Sequence, residues 1–323
     1  MMGTLRRRVL TPSMSETKLS TRGFHEKDPA ARDLLEKIGS SFLTGYAHAA
    51  EAGRAVDAER GLELIEPGFR GFAYEGAAMG FAVRDGLPFG GSRHVQRFLE
   101  GRAANHVYMV YVGVGWAMAR VPRFRWKAMY AADPLLRWLL LDGYGFHQAY
   151  FSTEKYVRQQ YQEPRFPWPG GGLAWYADRV IDQGVGRAMW FVFGADAQRV
   201  ADAIDAFAPG RRGDLYAGAG LAATYAGGAG PEELERFRER AGEHRSQLAQ
   251  GSAFAATARA EAGLVTEHTI MASRVLCDVT PAEAARICRE ARPDPAVDGD
   301  LPAYEVWRRQ IAERLAAHTE SEV

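Results

Sequence analysis

A ten-residue segment occurs twice in this chain, and that repetition constrains the fold more than any other feature of the sequence. Residues 67–76 recur as residues 209–218 at an offset of 142, and six of the ten positions are identical, including one proline and one tyrosine. Glycine makes up 35 of the 323 residues, so glycine matches alone would carry little weight. Because internal repetition is typical of a repeated structural unit, the sequence predicts two similar halves.

Weaker matches extend the repetition on both sides of this segment, at offsets that differ by several residues, as small deletions would produce. The matched pairs are His106 with His244, Gly113 with Gly251, residues 42–45 with 191–194, and residues 140–142 with 276–278. We therefore predict two tandem pseudo-symmetric repeats, about residues 30–150 and 173–290, packed about a pseudo-twofold axis.

Proline and glycine divide the chain into five segments. Three prolines and a triple glycine in residues 162–172 exclude regular structure there and mark a linker between the halves. A second boundary follows residue 292, where two prolines precede a terminal amphipathic pattern from Tyr304 to Ala317. The predicted segments are an arm at 1–29, repeats at 30–161 and 173–292, the linker at 162–172, and a C-terminal linker and helix at 293–323.

The apolar residues within each repeat follow a helical period. In residues 33–51 and 199–207 they recur at spacings of three and four, which indicates amphipathic helices. Pro231 followed by two glutamates suits the first turn of a helix, and Thr280 with Glu283 forms a capping-box pattern. Alternating strand patterns are scarce, so we predict an all-α, or mostly α, fold.

Residues 106–118 resemble the strand, Gly-x-Gly turn and helix of a dinucleotide-binding site. The third glycine of that fingerprint falls at Met118, which is too large for close packing of helix on strand. The matching segment of the second half, residues 246–254, is polar and not strand-like. We therefore interpret both segments as buried helices in which glycine permits close contact.

Charge and cysteine content limit the possible partners. The 40 basic and 40 acidic residues balance, whereas nucleic-acid binding requires clustered positive charge, so we expect no nucleic-acid partner. The two cysteines, Cys277 and Cys288, lie in no metal-binding pair. The first residues lack the apolar stretch of an export signal, and we expect a cytoplasmic protein.

Asp142 and His147 form the best acid/base candidate in the sequence. A nearby carboxylate would fix the tautomer of the His147 imidazole and raise its pKa, which suits a general acid or base near neutral pH. In the alternative interpretation, His147 hydrogen-bonds a backbone carbonyl and has only a structural role.

The repeated segment contains a second set of candidates. In the functional interpretation, Arg70 lies in a turn and Tyr74 and Glu75 lie at the mouth of a cleft beneath it; only the first half has an acid here, since Ala217 matches Glu75. In the structural alternative, Arg70 caps the end of a neighbouring helix. His106 is matched by a histidine in the second half, His244, which favours a structural role. His106 is also a substrate-binding candidate.

No residue spacing in the sequence indicates a metal site, and the sequence leaves the cofactor undefined. A metal would need scattered ligands such as Glu75, His106, Asp142 and His147. Aromatic residues are dense after residue 115, and some of them, such as Trp116 and Tyr144, could line a pocket for a flat, unsaturated ligand.

Several segments of the chain are similar to the UnbL-type enediyne biosynthesis proteins, the family of domain of unknown function 1702. The similarity lies in residues 2–8, 70–79, 113–117, 133–139 and 142–147. The resemblance implies a role in converting a linear polyene released by a polyketide synthase into the enediyne core. It also implies partner proteins from the same gene cassette, including a membrane protein, and it supplies no catalytic residues.

Two functional hypotheses follow from the residues and the resemblance together. In the first, the chain is an enzyme that acts on an apolar conjugated polyketide in a cleft between the repeats. His147 would then be the acid/base, Asp142 its orienting group, and Glu75 a polar partner, with substrate contacts from Tyr74, Trp116, Tyr144, His106 and Arg70. In the second, the chain binds and shields the polyene without catalysis, or acts as a scaffold for the cassette's proteins.

Overall fold

The structure is a computed structural model that describes residues 2–87, 93–129, 131–169 and 173–321. These residues contain helices and turns but no strand, which confirms the predicted all-α fold. The α-helices are α1 (Met2–Leu10), α2 (Leu19–Arg22), α3 (Pro29–Glu51), α4 (Ala55–Leu62), α5 (Pro67–Gly86), α6 (His94–Leu99), α7 (Val107–Met118), α8 (Leu139–Phe151), α9 (Ala177–Val192), α10 (Ala197–Asp205), α11 (Pro209–Ala226), α12 (Pro231–Arg240), α13 (Arg245–Glu261), α14 (Glu267–Cys277), α15 (Pro281–Glu290) and α16 (Ala303–Ser321).

Local sequence signals explain where several helices begin. The Asp28 carboxylate accepts a hydrogen bond from the Ala31 amide at 2.8 Å, and Pro29 occupies the first turn of α3. Thr280 and Glu283 form the predicted capping box at the start of α15. The helices predicted from periodicity are confirmed as α3, α10 and α16, and Pro231 begins α12 as expected.

Glycines on opposite sides of α7, α8, α9 and α11 allow a row of helices to pack at backbone contact. A Cβ atom at Gly113 of α7 would lie 2.2 Å from the Glu75 carbonyl oxygen of α5. One at Gly115 would lie 2.1 Å from the Leu140 carbonyl oxygen of α8. Residues two apart on a helix point about 200° apart, so a Gly-x-Gly pair meets two neighbours at once. The same arrangement recurs at Gly143 and Gly145 of α8, Gly184 and Gly186 of α9, and Gly218 and Gly220 of α11.

This packing confirms the interpretation of residues 107–118 as a buried helix and excludes a dinucleotide-binding turn there. The row runs α3, α5, α7, α8, α9, α11 and α13, each helix packed on the next. It curls back on itself, since the Phe72 ring of α5 meets the Tyr225 ring of α11 edge-on, with centroids 5.0 Å apart. The curled row leaves a cavity at its centre.

The two halves repeat each other's polar contacts around the doubled segment. The Tyr74 hydroxyl donates to the Glu63 carboxylate at 2.7 Å, and the Tyr216 hydroxyl donates to the Asp205 carboxylate at 3.2 Å. In the same way the Arg70 guanidinium donates to the Ile65 carbonyl and the Arg212 guanidinium to the Phe207 carbonyl. All of these pairs are related by the offset of 142.

Two of the weaker sequence matches are wrong. Gly45 packs against the Ala73 carbonyl, and Gly186 makes the equivalent contact with the Leu215 carbonyl, so residue 45 corresponds to residue 186 rather than to residue 194. Asp142 lies in the first turn of α8, whereas Asp278 follows the end of α14. These matches rested on short apolar stretches, which many buried helices share.

The predicted linker lies between α8 and α9. Residues 160–169 form turns and extended chain without a helix, and residues 170–172 lie outside the described residues. None of the described helices combines the length and the apolar character that crossing a membrane requires.

Candidate functional site

A cavity of about 490 Å³ lies at the centre of the curled helix row. Its wall contains side chains from α3, α5, α7 and α8 of the first half and from α9 and α11 of the second, together with residues of the chain between 12 and 22. Most of the wall is apolar and aromatic. The larger aromatic side chains in it are Phe42, Tyr46, Phe72, Trp116, Phe146, Tyr150, Phe151, Phe191 and Tyr225.

Trp116 organises the aromatic part of the wall. Its ring centroid lies 4.6 Å from that of Phe42 and 4.9 Å from that of Phe146. Rings at these distances pack well and expose flat faces and edges. The prediction that Trp116 lines a pocket is consistent with this position.

A buried group of three charged side chains closes one side of the cavity. Arg187 Nε lies 3.0 Å from Asp142 Oδ1, and Arg187 Nη2 lies 3.7 Å from Glu75 Oε1. The Trp116 indole also donates a hydrogen bond to Glu75 Oε1 at 2.9 Å. Both carboxylates and the guanidinium are buried, and Glu75 and Arg187 line the cavity while Asp142 lies beside them.

Burial controls the protonation of these acids. Removal from water raises the pKa of Glu75 to about 7, against the opposing effect of the Arg187 guanidinium. Burial also raises the pKa of Asp142, again opposed by Arg187. A carboxyl group with a pKa near neutrality can donate and accept protons at physiological pH. Glu75 is therefore the best acid/base group in the cavity.

The predicted pairing of Asp142 with His147 is wrong. The two residues are five apart on α8 and so point about 140° away from each other. Asp142 faces Arg187, and neither ring nitrogen of His147 has a hydrogen-bond partner of good geometry among the described residues, so the backbone-carbonyl alternative is also not observed. His147 does line the cavity, and burial lowers its pKa to about 4, which keeps the imidazole neutral at neutral pH.

Tyr74, His106 and Arg70 belong to the helix framework and do not line the cavity. The Tyr74 ring stacks on His106 with centroids 3.9 Å apart. Arg70 donates to the carbonyls of Glu63 and Ile65 at the end of α4, as the structural alternative predicts. Their placement at the mouth of a cleft is wrong, because residues 67–71 form the first turn of α5 rather than a loop.

Tyr144 also lies away from the cavity. Its ring packs against Trp126 and Phe166, and its hydroxyl accepts a hydrogen bond from the Gln148 amide at 3.1 Å. The structure therefore brings together Glu75, Trp116 and His147 at the cavity, with Asp142 held beside it by Arg187.

Two important residues of the site were not predicted. Arg187 is the cation that joins the two acids, and the buried hydroxyl of Tyr225 has no hydrogen-bond partner among the described residues. The signal for Arg187 was its position as the one charged residue in the apolar stretch 184–193. A buried charge is rare unless it is paired, which makes such a residue a candidate for a site.

The scattered metal ligands considered from the sequence do not converge. In the part of the chain that the structure describes, no three His, Cys, Asp or Glu side chains come close enough to hold a metal ion. His106 stacks on Tyr74 outside the cavity wall, whereas Glu75 and Asp142 meet Arg187.

The fold and the site define an all-helical protein with an internal apolar cavity and a buried, titratable carboxyl group at its wall. Residues 1–315 match the family model described as protein of unknown function (DUF1702), and the chain belongs to that family. Neither the curated proteins nor the solved structures contain a match to this chain.

Proposed function

We propose that this protein binds a linear conjugated polyketide in its central cavity and transfers protons on it through Glu75, as a step of enediyne biosynthesis. The polyketide and the pathway come from the resemblance to the UnbL-type proteins. The shape and chemistry of the cavity support the class of ligand, and the protonation of Glu75 supports the class of reaction.

The cavity suits a small apolar molecule. Its volume of about 490 Å³ falls within the range of about 300–1,000 Å³ that is usual for small-molecule sites. Aromatic rings such as those of Trp116 and Phe146 offer stacking surfaces to a flat, unsaturated chain. The long helices around the cavity would keep water away from a reactive polyene.

The position and pKa of Glu75 are the observation that carries the proposed reaction. In its carboxylate form Glu75 would take a proton from one carbon of the conjugated chain, and in its acid form it would return the proton to another carbon. The result is a shift of double bonds with no net change in atoms or charge. The Trp116 indole and Arg187 stabilise the carboxylate form of Glu75, which is present before the first proton transfer and is restored by the second.

A second candidate is binding without catalysis, in which the protein shields the polyene and passes it on. The observation that favours it is the ion pair of Glu75 with Arg187, which would give this carboxyl group a structural role. The position of His147 also favours binding without catalysis, since no described carboxylate orients its imidazole as an acid/base group would require.

Deletion of the gene in a producing host, followed by identification of the accumulating polyene, tests the proposal. Complementation with Glu75→Gln, which keeps the size of the side chain but cannot titrate, separates the two candidates. We expect Glu75→Gln to leave the same polyene accumulated, whereas normal product would favour binding alone. Ala222→Trp, which fills the cavity from α11, should fail to complement in either case. Ala316→Trp, on the exposed face of α16, is the matched control and should restore product.

A further inference from the structure

The outer part of the cavity wall carries an excess of positive charge. Arg120, just beyond the end of α7, lines the cavity and is also exposed to solvent, so it marks an opening. Arg22 lines the cavity as well, but it forms an ion pair with Glu16. None of the described carboxylates lies within ion-pair distance of the Arg120 guanidinium. These three side chains therefore leave one uncompensated positive charge at the opening.

His147 adds an unused hydrogen-bonding group to this region. Its side chain is 6% exposed and lines the cavity, and neither ring nitrogen makes a hydrogen bond of good geometry with the described residues, although the Gln148 side chain lies near enough to interact with the ring. Arg120 and Arg22 both act electrostatically on the His147 ring, which places all three side chains in one neighbourhood. A buried polar group without a partner is costly, so a ligand that hydrogen-bonds His147 gains free energy.

The opposite side of the cavity is neutral or negatively charged rather than positively charged. There, the carboxyl groups of Glu75 and Asp142 share the single cation of Arg187. The group is neutral when Glu75 is protonated and carries one negative charge when it is not. An anion placed beside it would be repelled or would have to displace a carboxylate from Arg187. An anionic group of a ligand can therefore be accommodated only at the opening.

We infer that the cavity binds the polyene as a carboxylic acid, with the carboxylate on Arg120 and His147 at the opening and the conjugated chain extending inward to Glu75. This inference rests on the proposed function and specifies its substrate class. A single uncompensated arginine matches a singly charged carboxylate. A phosphate ester, with a charge closer to two, would leave negative charge unbalanced at the same place.

The experiment compares trans-parinaric acid, a fluorescent conjugated tetraene acid, with its methyl ester as ligands for the full chain. The ester has the same chain but no charge. We expect the acid to bind the wild-type protein about tenfold more tightly than the ester, the contribution of one charge-assisted hydrogen bond. Arg120→Gln should remove this preference and leave ester binding within about twofold of wild type. Arg120→Lys should restore most of it, because the positive charge remains.

Arg97→Gln, at an exposed arginine of α6 away from the cavity wall, is the matched control and should bind both ligands as wild type does. Equal binding of acid and ester by wild type, or equal weakening of both by Arg120→Gln, would overturn the inference and leave the proposed function standing. Failure of the wild-type protein to bind either ligand would instead refute the proposed function. Since Arg120 is exposed and makes no ion pair with the described carboxylates, we expect its variants to fold normally.

Discussion

Tyr74 in the first half of the chain and Tyr216 in the second occupy matching positions, yet the residues that follow them differ. Both tyrosines donate to a carboxylate eleven residues earlier, and both stack on a histidine, His106 and His244 respectively. The next position is Glu75 in one half and Ala217 in the other. The matched tyrosines hold helices together, and the unmatched glutamate reaches the cavity.

The cation of the site, Arg187, lies in the second half and has no charged match in the first half, which is the reverse of the situation at Glu75. Gly45 and Gly186 make equivalent contacts, and the residues after them are Tyr46 and Arg187. Arg187 therefore has no charged counterpart in the first half, just as Glu75 has none in the second. The site combines an acid from one half with a cation from the other. At the positions compared, the shared contacts lie in the helix framework, and the two residues without a charged match, Glu75 and Arg187, lie at the cavity.

The largest effect that we expect is a loss of stability when alanine replaces glycine at the helix contacts of either half. A Cβ at Gly76 would lie 1.9 Å from the Phe42 carbonyl oxygen, and one at Gly218 would lie 1.9 Å from the Gln183 carbonyl oxygen. Because neither neighbour is a flexible side chain, we expect Gly76→Ala and Gly218→Ala each to lower the free energy of unfolding by about 3 kcal/mol or more. Chemical denaturation measures both values.

Gly68 and Gly210 provide the matched controls. They occupy the first turns of α5 and α11, and a Cβ at either would meet no atom within 4 Å. Alanine at these positions should be neutral or stabilising by about 0.5–1 kcal/mol. If Gly218→Ala were tolerated while Gly76→Ala unfolded the protein, the structural equivalence of the halves would fail.

The next effect concerns Glu75 and appears as a pH dependence of stability. Burial raises the pKa of Glu75 from 4.5 to about 7, so the folded protein holds this proton more tightly than the unfolded chain does. The stabilising contribution of the protonated group is therefore complete below about pH 4.5 and is lost as the pH rises to about 7. The loss amounts to at most about 3 kcal/mol, and the Glu75→Gln variant should not show it.

The measurement is the difference in the free energy of unfolding between wild type and Glu75→Gln at several pH values. The difference is needed because the lowered pKa of His147 acts with the opposite sign over about pH 4 to 6.5. His147 remains in both proteins, so its contribution cancels. A difference that does not change with pH would show that the pKa of Glu75 is the same in the folded and unfolded protein, so that Glu75 is an ordinary ionised carboxylate at neutral pH, and would remove its role in proton transfer.

The smallest effect that we expect is the loss of stability when either of the two matched tyrosines is changed to phenylalanine. Tyr74→Phe and Tyr216→Phe each remove one hydrogen bond to a carboxylate, and we expect each to cost about 1–2 kcal/mol of stability. Neither variant should change polyene binding, because neither side chain lines the cavity. Weaker binding in Tyr74→Phe alone would place this cluster within the functional site after all.

Much of the fold follows from the sequence because its signals are local. The capping box at Thr280 and the amphipathic period of residues 33–51 depend on neighbouring residues, and α15 and α3 appear where these signals place them. The interpretation of the Gly-x-Gly segment at Gly113 also holds, since the helical period and the size of Met118 already argued against a dinucleotide site.

The site follows less well because its contacts join distant parts of the chain. Arg187 meets Asp142 and Glu75, which are 45 and 112 residues earlier, and no local pattern reveals that meeting. Asp142 and His147 are close in sequence, yet helix geometry directs them to different neighbours. The mismatch between Glu75 and Ala217 was the most informative signal, because it compares two chemical environments within one chain.

The stoichiometry of ligand binding tests the central claim most directly, since a single cavity lined by helices from both halves of the chain should provide one site. Titration of trans-parinaric acid into the wild-type chain should show saturable binding of one molecule per chain. The same titration of Ala222→Trp, whose folding is verified by circular dichroism, should show at least about tenfold weaker binding. Two bound molecules per chain, or unchanged binding by folded Ala222→Trp, would contradict the assignment of a single functional cavity between the halves.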